Sequence, residues 1–117
     1  GRGHLMSSCI RLATHIDDVA SVIKTEELAR VVLVGHSYAG LLITAVADRY
    51  AERIARLVYV DAIVPRSGES WSSSHDESAR QARRAGIARD GVIPPPPASA
   101  FGLAGEDAAW VDRRQRP

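Results

Sequence analysis

Apolar side chains recur at helical spacing near the start of the chain, at Leu12, Ile16, Val19, Ala20 and Ile23. These positions fall on one face of an α-helix, so the pattern predicts an amphipathic helix whose apolar face packs on a core. Thr14 is the candidate N-cap residue, because its hydroxyl can accept a hydrogen bond from a backbone N–H of the first turn.

Two short apolar runs follow, and neither alternates with polar residues. The first is Val31–Val34 and the second is Leu57–Val60. Runs of this kind indicate strands that are buried on both faces, as in a parallel sheet between helices. A helical pattern over residues 41–50 lies between them, and the order strand, helix, strand is typical of an α/β fold.

The pattern changes after Asp61. A loop rich in Ser and Gly covers residues 65–74, and Ser74 and Glu77 have the spacing of a capping box that opens a polar helix. We expect that helix to stop at Gly86.

Beyond it, Pro94–Pro97 predicts an extended tract, and a last short helix is expected over residues 106–114. The chain therefore divides into a scaffold of sheet and helix over residues 1–64 and a helical layer over residues 65–117.

Composition and charge narrow the function classes. The 117 residues are 45% hydrophobic and 25% charged, as in ordinary globular domains. A net charge of +1 gives no electrostatic basis for binding nucleic acid or an acidic membrane. No apolar run approaches the roughly 18–20 residues that span a bilayer. The single cysteine, Cys9, excludes an internal disulfide and favours a cytoplasmic location, and no motif predicts a metal or a cofactor.

The candidate chemistry lies at Ser37, between the first predicted strand and the following helix. Gly35 and Ala39 flank it in a Gly-x-Ser-x-Ala arrangement, with Gly40 behind. A sharp strand-to-helix turn would expose the serine hydroxyl, and small neighbours would let the strand and the helix approach closely. The alternative is a plain turn that happens to contain a serine.

A helix N-terminus also favours negative charge that develops nearby. The backbone N–H of Tyr38, the residue after the serine, is therefore a candidate oxyanion donor.

Val31–Gly40, followed by Asp48–Ala62, resembles the nucleophile elbow, its helix and the next strand of the α/β-hydrolase superfamily. The likeness is to bacterial esterase-like members of the branch that includes plant methylesterases and hydroxynitrile lyases. It implies an α/β fold with a partial doubly wound parallel sheet, and the start of a helical cap after residue 64. Ala39 departs from the family pattern, where glycine is commoner, but it is small enough for us to expect the elbow to survive.

The resemblance also implies a serine hydrolase with Ser37 as nucleophile, no cofactor, and a carboxylic ester or similar small acyl compound as substrate. Such enzymes need an acid and a histidine after the serine, in that chain order. Asp61, at the end of the second strand, is one candidate for the acid; the alternative is a loop-capping or site-lining role.

The histidines supply no convincing base. His15 is expected to be solvated on the polar face of its helix, and His36 to pack beside the turn. His75 alone follows Ser37, but it lies at the start of a predicted cap helix. We therefore expect the triad histidine, and the acid unless Asp61 supplies it, to lie outside this chain, together with the second oxyanion donor.

On this view the 117 residues are a central fragment, inactive alone. Two alternatives stay open: a non-catalytic fragment or binding module, and lyase or perhydrolase chemistry on the same fold.

Overall fold

The computed structural model describes residues 10–91 and 93–115, so Cys9 and the first residues of the predicted scaffold lie outside the described part. The principal elements are α1 (Leu12–Thr25), β1 (Val31–Ser37), α2 (Ala39–Arg49), β2 (Ile54–Ala62), α3 (Glu77–Asp90) and α4 (Gly105–Asp112). Short 3₁₀ turns lie at Ala51–Arg53, Trp71–Ser74 and Ala98–Phe101.

The two strands pair in parallel, which confirms the predicted α/β class. Both are longer than the apolar runs that predicted them. Gly35 and His36 continue the ladder by pairing with Tyr59 and Val60. Backbone pairing, and not side-chain hydropathy, therefore sets where β1 ends, and Ser37 belongs to the end of the strand.

The core lies on one face of this sheet. Buried side chains of α1 and α2, namely Ile16, Ile23 and Val46, form a cluster against which Val31 and Leu33 pack.

The other face is open, which contradicts the expectation that the strands are buried on both faces. Val32, Val34 and Val60 are 53%, 62% and 48% exposed. The described residues therefore leave these three valine side chains exposed, because α1 and α2 both contribute to the core on the opposite face.

Two predicted helix boundaries were wrong. Arg11, and not Thr14, is the N-cap of α1, and the Thr14 hydroxyl instead accepts a 3.2 Å hydrogen bond from the Arg11 N–H. Thr14 is the third residue after the N-cap, the position from which a side chain in a capping box bonds back to the N-cap backbone. Gly86 does not stop α3, which runs to Asp90 and ends where Gly91 takes a left-handed φ of 73°.

The start of α3 also differs from the prediction. Ser74 belongs to the preceding 3₁₀ turn, and α3 begins at Glu77. A capping box is present instead at the start of the 3₁₀ turn Trp71–Ser74, where the Ser70 N–H donates a hydrogen bond to Ser73 Oγ at 2.9 Å.

The chain separates into two compact units. Of the described residues, one unit holds residues 10–76 with the sheet, and the other holds residues 77–91 and 93–115. In the described part of the second unit, α3 and α4 bury no residue and Ala98 is the buried one. The division at residue 64 into scaffold and cap stays a prediction. Among the described residues, no helix is both long and apolar enough to cross a membrane.

Candidate active site

Ser37 lies at the carboxyl end of β1, and α2 begins two residues later at Ala39. Its backbone has a φ of 52°, in the left-handed region, and the residue is exposed. A non-glycine residue rarely adopts this conformation, and such strain is concentrated at functional sites. The sharp turn expected from the sequence is therefore present, with a serine at its tip.

Two glycines make this turn sterically feasible. A Cβ on Gly35 would lie 2.9 Å from both the Ala39 carbonyl oxygen and Ile43 Cδ1. A Cβ on Gly40 would overlap the carbonyl oxygen of Ile63, the first residue after β2. The close approach expected around the serine is thus carried by Gly35 and Gly40, and Ala39 is accommodated between them.

A side-chain pair ties the elbow helix to β2. The Thr44 hydroxyl lies 2.7 Å from the Gly40 carbonyl oxygen, to which it donates, and 2.6 Å from the Tyr59 hydroxyl. Tyr59 is the residue that pairs with Gly35 across the sheet. These contacts therefore connect both glycines of the turn to one strand.

Tyr38 links the turn to α1. It precedes the first residue of α2 with φ −55° and ψ −32°, so its N–H lies at the helix end where N–H groups lack intrahelical acceptors. Its hydroxyl lies 3.2 Å from His15 Nδ1, and the two rings meet edge to face at 5.9 Å. Burial raises the pKa of Tyr38 above its ordinary value.

This contact contradicts the expectation that His15 is simply solvated. His15 is half-buried and has a partner in the elbow. Sequence reasoning missed it because the two residues are 23 positions apart and no local pattern connects them.

Asp61 lies at the end of β2, beside the end of β1. It is exposed and has a left-handed φ of 41°. The pairing skips it, because His36 pairs with Val60 while Ser37 pairs with Ala62. The structure therefore brings Ser37 and Asp61 to neighbouring strand ends, both with strained backbones.

The surroundings of His36 and His75 differ from those of His15. His36 is an exposed residue of β1. His75 Nδ1 lies 3.1 Å from the Trp71 carbonyl oxygen, and its ring contacts the Trp71 ring at 4.7 Å. Within residues 10–91 and 93–115, no group of three His, Cys, Asp or Glu side chains could hold a metal ion.

Three comparisons bear on this geometry. A model of the alpha/beta hydrolase family matches residues 2–117. A carbendazim hydrolyzing esterase of Nocardioides sp. (strain SG-4G) is 40% identical over 126 residues, which cover 99% of this chain and 52% of the relative.

The third comparison is with a solved structure, an extracellular alpha/beta-hydrolase from a Paenibacillus species described as sharing structural and functional homology with tobacco salicylic acid binding protein 2. It superposes with a TM-score of 0.82 at 21% identity, over 96% of this chain and 49% of that one. The chain thus spans about half the length of the relatives it matches. From the family match and the fold around Ser37, this chain belongs to the alpha/beta hydrolase family.

Proposed function

We propose that the protein to which this chain belongs is a serine hydrolase that cleaves a carboxylic ester or a similar small acyl substrate, with Ser37 as the nucleophile. The observation that carries the proposal is the exposed serine held at a φ of 52° between β1 and α2. The esterase relative at 40% identity supports the reaction class.

In the proposed mechanism, the Ser37 hydroxyl oxygen attacks the acyl carbon while a base takes its proton. The tetrahedral intermediate carries a negative oxygen, which the Tyr38 N–H at the start of α2 stabilises. The intermediate collapses to an acyl-serine as the bond to the alcohol breaks, and the alcohol leaves with the proton that the base took. Water then attacks the acyl-serine and gives a proton to the base, and the acid leaves as Ser37 regains that proton. No cofactor takes part in these steps.

The base, the second oxyanion donor and, unless Asp61 provides it, the acid are proposed to come from other parts of the hydrolase domain. Of the histidines in the described part of the chain, His15 contacts Tyr38 and His75 contacts its own turn at Trp71.

A cytoplasmic location, based on the single Cys9, belongs to the same proposal.

A fluorophosphonate probe tests the nucleophile, because it reacts with an activated serine. In the full-length protein we expect covalent labelling of the peptide that contains Ser37, and loss of that labelling in Ser37→Ala. Ser67→Ala, in an exposed loop of the same unit, is the matched control and should label normally. Absence of labelling, or labelling that survives Ser37→Ala, would refute the proposal.

The second candidate function is a non-catalytic or binding role for the 117-residue chain by itself. It is favoured by the contacts of His15 and His75, whose Nδ1 atoms lie within hydrogen-bond distance of the Tyr38 hydroxyl and the Trp71 carbonyl oxygen. Turnover of a p-nitrophenyl ester by the isolated chain, abolished in Ser37→Ala, would exclude it. Lyase or perhydrolase chemistry uses the same elbow and is distinguished by product analysis.

A further inference from the structure

The end of β2 contains one residue more than the end of β1. His36 and Ser37 are consecutive, but their partners are Val60 and Ala62, so Asp61 is the inserted residue of a β-bulge. Its φ of 41° gives the left-handed turn that the insertion requires. Bulges of this kind bend a strand and recur beside active sites.

The bulge redirects the chain that follows it. After Asp61, the Ile63 N–H donates to the Ser37 carbonyl oxygen at 3.1 Å. The Ile63 backbone also lies directly against Gly40, where a Cβ would overlap its carbonyl oxygen. Ile63 therefore contacts both the serine and the first turn of α2, so the strained turn is held from each side.

Aspartate suits this position for a reason unrelated to its charge. Residues with a Cβ disfavour the left-handed region, but Asp and Asn tolerate it better than others, and Gly enters it freely. A β-branched residue is the least compatible. The geometry thus calls for a residue that tolerates positive φ.

We propose that Asp61 is a positioning residue, which holds Ser37 in its strained conformation through the bulge and Ile63, and that its carboxylate is not the triad acid. The inference rests on the proposed function of Ser37. The sequence left two roles open for Asp61, the triad acid and a loop-capping or site-lining residue, and the proposal excludes the first.

Substitutions at Asp61 separate conformation from charge. Asp61→Asn and Asp61→Gly remove the carboxylate but accept a positive φ, whereas Asp61→Val opposes it. In the full-length protein we expect the Asp61→Asn and Asp61→Gly variants to keep kcat for a p-nitrophenyl ester within about threefold of the original enzyme. We expect Asp61→Val to lower kcat by about tenfold or more with little change in KM. Fluorophosphonate labelling of Ser37 should slow in parallel with kcat.

A matched control corrects for general strain. Glu27, in the turn between α1 and β1, has a φ of 50°, so Glu27→Val imposes the same kind of backbone conflict away from the serine. We expect it to lower the unfolding free energy while leaving kcat unchanged. If Asp61→Val does not fold, Asp61→Ala supplies a milder conflict, and its kcat should fall between those of the Gly and Val variants.

Each result decides the proposal. A loss on the order of 10⁴ in kcat for both Asn and Gly would show that the carboxylate itself acts, as in a triad, and would overturn the positioning role. Unchanged kcat in foldable Val and Ala variants would overturn it as well. If the original enzyme is not labelled at Ser37, the proposed function fails first, and this outcome is distinct because it does not depend on Asp61.

Discussion

The glycines next to the serine and the glycines of the second compact unit serve different purposes. In the unit that holds the sheet, Gly35 and Gly40 are sites where a Cβ would collide with backbone. In the other unit, Gly86, Gly91, Gly102 and Gly105 would each carry a Cβ with nothing within 4 Å. Gly91, Gly102 and Gly105 have positive φ, so they allow backbone turns that other residues disfavour. Gly35 and Gly40 instead allow close packing around the serine.

Burial separates the two units in the same way. The sheet unit has a cluster of buried side chains around Val46, which is 0% exposed. In the described part of the other unit, Ala98 is the buried residue, and its N–H donates a 2.8 Å hydrogen bond to Asp112 Oδ1. The candidate active site therefore lies in the part of the chain where packing tolerates least change.

The largest effect is expected for Gly40→Ala. The added methyl would overlap the Ile63 carbonyl oxygen, so the elbow helix or the end of β2 must shift. We expect the unfolding free energy of the full-length protein to fall by about 3 kcal/mol or more, as in severe overpacking, with loss of probe labelling at Ser37. Urea unfolding and labelling measure the two effects, and a variant that keeps both would break the distinction between packing and directional glycines.

A core truncation should rank next. Ile23 in α1 is 2% exposed, whereas Ile87 in α3 is 42% exposed. Ile23→Ala should lower the unfolding free energy by about 2–3 kcal/mol because it leaves a cavity, and Ile87→Ala by less than about 0.5 kcal/mol. Equal losses in urea unfolding would contradict the burial difference between the units.

The hydrogen bond to Ala98 gives a smaller effect within the second unit. Asp112→Ala leaves the N–H of the buried Ala98 without this acceptor, which should lower stability by about 1–2 kcal/mol. Asp112→Asn retains an acceptor oxygen and is the control. Thermal unfolding should place Asn near the original protein, and an Ala variant as stable as Asn would show that the bond is unimportant.

Gly86→Ala is expected to have the opposite sign from Gly40→Ala. Gly86 lies inside α3 in open space, and replacing a helical glycine with alanine stabilises a helix by about 0.5–1 kcal/mol. An increase in the unfolding free energy would show that the same substitution stabilises one unit and destabilises the other. A decrease would reveal close packing at Gly86.

The smallest effect concerns Tyr38 at high pH. Burial raises its pKa from the ordinary value of 10.0, so the folded protein holds the phenol proton more tightly than the unfolded chain. The associated stability is complete below about pH 10 and decreases as the pH rises through the folded-state pKa. Tyr38→Phe should flatten this decrease above about pH 10, as measured by urea unfolding at a series of pH values.

The sequence predicted the local parts of this site better than the long-range ones. Gly35, Ser37 and Gly40 form a local motif, so the turn could be anticipated from spacing alone. The bulge at Asp61 depends on how β2 aligns with β1, and no local pattern contains that alignment. The open sheet face was missed because Val32 and Val34 are as apolar as the partly buried Val31 and Leu33 beside them.

The parallel register has a consequence for when the serine acquires its strained conformation. Ser37 and its partner Ala62 are about two dozen residues apart along the chain, so their pairing follows loop closure rather than neighbouring contacts. Before the ladder forms, Ser37 lacks both its pairing with Ala62 and the hydrogen bond from the Ile63 N–H. Under the proposed function, labelling of Ser37 during refolding of the full-length protein should therefore not precede the docking of β2.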